Sequence, residues 1–139
     1  MALKISPSLV EEYILEDADK TQGLPADEEH TKVSIRMATQ GDIERRSEVM
    51  DRFQRQYDGE KVTVTQSFYY DEVERIEVEL TLAACNILDD KDKPLFEFVN
   101  GRLVDHNKFI VAWSKLPPHY AMAIKRVVKE KNPVWGPLG

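Results

Sequence analysis

Hydrophobic residues change their spacing several times along the chain, and each change predicts an element. In TKVSIRM (31–37), Val33, Ile35 and Met37 alternate with polar residues, the period of two that sends side chains to opposite faces of a strand. Ile43, Met50, Phe53 and Tyr57 then follow at steps of 7, 3 and 4, a narrow apolar stripe that predicts a surface helix over GDIERRSEVMDRFQRQY. Thr39 and Asp42 have the spacing of a reciprocal cap at its start, and Gly59 suits its close. KVTVTQSF (61–68) alternates again, with Val62 and Val64 on one face, and predicts a second strand.

The longest periodic segment is 69–88, where Tyr69, Val73, Ile76, Leu80, Ala84 and Ile87 hold a helical stripe by steps of 4, 3, 4, 4 and 3. A second stripe joins at Val78, Leu82 and Cys85, so the expectation is one central helix buried toward its C-terminus, which Ile76→Asp or Leu80→Asp would unfold. LFEFVNGRLV sets Asn100-Gly101 between alternating residues, the pattern of a type I′ hairpin. Asp105 is placed to cap a helix with Phe109, Ala112, Trp113 and Leu116 on one face, and Pro117-Pro118 ends it and opens the next. Tyr120, Ala123, Ile124, Val127 and Val128 form the following stripe, which Asn132-Pro133 closes.

Residues 1–30 show one short apolar cluster, Val10, Tyr13, Ile14 and Leu15, among acids and the turn formers Pro7, Gly23 and Pro25. They read as a flexible acidic arm before a globular domain over 31–139. The expected fold is α+β: a helix-dominated single domain with a small antiparallel or mixed sheet, from strands near 32–37, 61–67 and the hairpin near 95–104, and a C-terminal helical hairpin. A chain of 139 residues can bury such a core without disulfides or metal.

Charge sharpens the choice of partner. The net charge is -6, with 12 basic and 23 acidic residues before Gly101 and 7 basic and 2 acidic after it. That asymmetry can steer association, but an acidic whole with pI about 5.1 opposes long-range attraction to phosphate, so a protein partner is favoured over nucleic acid. Cys85 stands alone, which rules out an internal disulfide and suits a reducing compartment. The opening MALKISPSLVEEY has no leader-length apolar run and 18 consecutive apolar residues occur nowhere, so a cytoplasmic protein without a membrane partner is expected.

Candidate chemistry is sparse. His30, His106 and His119 lie far apart with no HExxH spacing, and in LDDKDKP the proline at Pro94 breaks a calcium-loop pattern begun by Asp90 and Asp92. No phosphate-cradling glycine motif or nucleophile elbow is present, and Cys85 lies in the apolar run LTLAACNIL, where a buried inert thiol is the expectation. No catalytic residues, metal ligands or cofactor are therefore expected, and the protein is not expected to be an enzyme. The candidate binding residues are the aromatic anchors Trp113, Tyr120 and Trp135 with the basic set Lys125, Arg126 and Lys129. Trp113 and Tyr120 also suit a core role, and Trp135, beyond Pro133, suits docking on the body and on a partner alike. The basic face also suits an acidic segment of a second copy, hence self-association, and substituting Lys125 and Lys129 by Glu is expected to spare the fold.

IRMATQGDIERRSEVMDRF, VELTLAACNILDDKDKPLFEF and AWSKLPPHYAMAIKRVVKEKNPVW together resemble the tail assembly chaperones of long-tailed bacteriophages, over about residues 31–135. The most specific part is the closing pattern of Trp113, Leu116-Pro117-Pro118, Asn132-Pro133 and Trp135. The resemblance implies a small, non-enzymatic protein of the host cytoplasm that needs no nucleotide. It would bind the tape measure protein, and tail tube subunits as a further partner, during virion morphogenesis. Two other readings stay open: a structural virion protein of tail or connector, and a nucleic-acid-binding regulator using the basic C-terminal helix.

Overall fold

The computed structural model describes residues 2–4, 9–58 and 66–136, apart from the side chains of 53–58 and 66–69. Its order is β1 (Val10–Ile14), α1 (Glu16–Gln22), β2 (Lys32–Arg36), α2 (Gln40–Asp58), α3 (Gln66–Thr81), β3 (Leu82–Cys85), β4 (Phe98–Val99), β5 (Arg102–Leu103), α4 (His106–Ser114) and α5 (Pro118–Lys131), followed by a 3-10 turn at Pro133–Trp135. This is the expected helix-dominated α+β fold with a small antiparallel sheet. Strands pair in the order β1-β2-β3, and β4 and β5 form a separate hairpin.

Helix α5 is the hub. It packs on α3, β2 and α1, and its Ile124, Val127 and Val128 join Val33 and Ile35 of β2, Val78 of α3 and Leu82 of β3 in one buried cluster. Phe109 and Ala112 of α4, with Leu116 in the turn that follows it, also belong to that cluster. Pro118 opens α5 at its first turn, where a missing N–H costs nothing. The reciprocal cap of α2 is formed: Asp42 N–H donates to Thr39 Oγ1 at 3.2 Å and Thr39 N–H to Asp42 Oδ2 at 3.0 Å. Burial pushes the Asp42 carboxyl up, but the Thr39 N–H and the Arg36 guanidinium outweigh it and hold the carboxyl below its ordinary value.

The structure departs from several expectations. The long helix over 69–88 ends at Thr81, and LAAC continues as β3, antiparallel to β2 with Val33 opposite Cys85 and Ile35 opposite Leu82. A run that is apolar on all sides suits a buried strand as well as a buried helix, and here the unfilled edge of β2 decides. Ala83 is the extra residue of a bulge where the register shifts. The face that α3 buries is Val73, Glu77, Val78 and Thr81, while Ile76 and Leu80 are half-buried, so Val78→Asp is the substitution that would put an unpaired charge into the core.

The strand expected at 61–67 lies outside the described residues up to 65, and Gln66 and Ser67 already belong to α3. The segment expected as a loose arm is instead built into the fold from Val10 onward. Its strand pairs with β2 from Val10 opposite Arg36 to Ile14 opposite Lys32, and Leu15 and Ala18 are buried in the core. The physical reason is Asp19, 3% exposed, which turns an acidic segment inward. Its Oδ1 accepts from Thr31 Oγ1 at 2.6 Å and Tyr120 Oη at 2.7 Å, and its Oδ2 accepts from Thr31 N–H at 2.8 Å. A carboxylate so fully hydrogen-bonded is tolerated inside a protein.

Candidate functional site

The hairpin is set by its turn: Asn100 and Gly101 have φ of 53° and 72°, the left-handed pair that a type I′ turn requires. Two residues after β5, Asp105 accepts from Lys108 N–H at 3.0 Å and starts α4. On the other side, the loop 87–97 is closed by Asp89, which accepts from Lys91 N–H at 2.8 Å and Lys93 N–H at 3.0 Å. Those backbone donors hold the Asp89 carboxyl below its ordinary value. Hairpin, loop and α4 thus enclose an open groove of about 400 Å³.

The groove is apolar where it is open. Val99, Val104 and Val111, at 53%, 66% and 56% exposure, stand around it, and Phe96 and Phe109 lie beneath with ring centroids 5.9 Å apart. Its rim is charged, but the charges answer one another. Lys108 Nζ lies 3.1 Å from Glu97 Oε2, which raises the Lys108 pKa, Asp105 is spent on the helix cap, and the positive charge of Lys115 adds a smaller stabilisation to the Asp89 carboxylate. What remains without a counterpart is hydrocarbon.

The anchors expected at the C-terminus are elsewhere. Trp135 is 1% exposed and Tyr120 5%, so both belong to the core, and Trp113 is half-buried with its ring 5.9 Å from that of Phe109. Lys129 is not a free surface cation. Its Nζ lies 2.8 Å from Oε1 of the buried Glu77 and donates to the carbonyls of Trp135 and Gly136 at 2.6 and 3.1 Å. Arg46 completes this knot, with Nε 3.0 Å from Glu77 Oε2 and its guanidinium 5.9 Å over the Trp135 ring. Burial outweighs both cations and raises the Glu77 pKa.

Lys125 lies 3.4 Å from Asp71 and Lys131 3.7 Å from Glu11, and Arg126 is exposed. Of the six candidate residues, then, three are structural and the rest are not gathered into one patch. The groove residues were missed because Val99 and Val104 alternate as ordinary strand residues do. Val111 carried a signal, since it falls off the stripe of Phe109, Ala112, Trp113 and Leu116.

Chemical potential is low at the one thiol: burial pushes Cys85 up to about 11, so the nucleophilic thiolate is scarce at neutral pH. Among the described residues no three His, Cys, Asp or Glu side chains gather as metal ligands, and no helix is long and apolar enough to cross a membrane. In comparisons with known proteins, no family model, no curated protein and no solved structure matches the chain.

Proposed function

We propose that this protein acts by binding another protein without chemistry, as a tail assembly chaperone of a long-tailed phage working in the host cytoplasm. Its main client is the tape measure protein, whose apolar helical stretches it shields before the tail tube assembles around them, with tube subunits as a second contact. The observation that carries this reading is the groove between hairpin and α4, whose exposed valines have no cover among the described residues and whose rim holds the Lys108–Glu97 ion pair. An amphipathic helix laying its apolar face into such a groove would gain hydrophobic burial without stranding a charge. The pattern resemblance over 31–135 supplies the identity of the client.

The test is co-expression of the chain with fragments of a tape measure protein encoded beside it. Recovery of a soluble complex with an apolar helical fragment is expected; fragments that precipitate equally with and without the chain would refute the reading.

A further inference from the structure

The sheet has a second surface that shares no residue with the groove. Leu9 accepts from Met37 N–H at 2.9 Å and Leu15 N–H donates to Thr31 at 2.8 Å, one at each end of β1. Backbone groups alternate sides along a strand, so residues 9, 11, 13 and 15 bond to β2, and Val10, Glu12 and Ile14 direct their N–H and C=O groups away from it. β1 is the end of the sheet order, so among the described residues no strand takes up those groups. On the face that carries their side chains, Val10 and Ile14 are 42% and 55% exposed, and Glu12 between them is exposed. The other face is occupied, with Tyr13 against the core and Glu11 3.7 Å from Lys131.

We infer that the free edge of β1 is a docking site for an extended segment of another protein that adds an antiparallel strand, with Lys or Arg facing Glu12 and apolar residues facing Val10 and Ile14. Three N–H and three C=O groups without a partner among the described residues are a template for strand addition. Charge selects the occupant. A second copy could fill the whole ladder only by placing its own Glu12 against this one, since Val10 would then face Ile14, and like charges directly opposed destabilise a pair. Glu12 has no ion-pair partner among the described residues, so a cation across the strand is the complement it lacks. The recognised pattern is apolar-x-Lys/Arg-x-apolar in an extended chain.

The test uses the full chain and two short peptides, one with Val, Lys and Ile at alternate positions and one with Glu in place of Lys. The lysine peptide should bind about tenfold more tightly, as expected from swapping an opposed pair for a like one. It should slow hydrogen exchange at the amides of Val10, Glu12 and Ile14 while leaving those of Glu11 and Tyr13, already bonded to β2, unchanged. Glu12→Lys, at an exposed position, should reverse the preference at unchanged thermal stability. Equal binding of the two peptides, no binding, protection elsewhere, or dimerisation of the protein through β1 would each overturn the inference.

Discussion

At the scale of single residues, the polar groups that matter are those the fold has hidden. Lys129 reads in sequence as one cation of a solvated basic face, yet it bridges buried Glu77 to the carbonyls of Trp135 and Gly136. Lys129→Glu should therefore cost about 3–5 kcal/mol in denaturant unfolding, because it sets two carboxylates together and strands Glu77. Lys125→Glu, beside the exposed Asp71, should cost less than about 1 kcal/mol. Such a loss for Lys129→Glu would go against the expectation that changing both lysines spares the fold. Asp19 was equally illegible, since nothing local distinguishes it from its solvated neighbours Glu16 and Asp17; its partners, Thr31 and Tyr120, come from far along the chain.

Burial opposes ionisation of Asp19, but the hydrogen bonds from Thr31 and Tyr120 prevail and keep its folded-state pKa below the ordinary value. The sign follows directly: the contribution is present above the usual aspartate pKa and is lost as pH falls through the lower folded value. Asp19→Asn should lower stability at pH 7 by about 1–3 kcal/mol and flatten the loss of stability below roughly pH 4. Thermal melts across that range check both parts; an acid limb as steep as wild type would contradict the assignment.

At the scale of elements, local signals were read well and pairing signals were not. The cap of α2, the Asn100-Gly101 turn, the Asp105 cap and the Pro117-Pro118 break are all written in adjacent residues, and all are present. The division of 66–88 into α3 and β3 depends on β2, about 50 residues earlier in the pairing of Val33 with Cys85, and no window of sequence holds that information. The hairpin and cap position the groove, so they offer a graded test. Gly101→Ala meets no atom within 4 Å, and its cost is the left-handed backbone alone, roughly 1–2 kcal/mol. Asp105→Ala should cost about 1 kcal/mol through the lost cap. Both are measured by denaturant midpoint at constant slope, and a Gly101→Ala change of no cost would mean that the turn relaxes.

At the scale of the whole molecule, the charge asymmetry that pointed outward in sequence is largely answered within the fold. Arg102 lies 3.4 Å from Asp42, Lys108 3.1 Å from Glu97, and Lys125, Lys129 and Lys131 meet Asp71, Glu77 and Glu11. The basic C-terminal part thus closes on the acidic remainder, which helps dock α4 and α5, and among the described residues the apolar groove and the edge of β1 remain open to a partner. The proposed function makes the groove the working surface of this protein. The most direct measurement is calorimetric titration of a tape measure helix into wild type and into a Val104→Asp, Val111→Asp double variant, both positions being exposed enough to leave the fold intact. The account predicts binding weakened by tenfold or more, about 1.4 kcal/mol, at an unchanged melting temperature; equal affinity for the two proteins would contradict it.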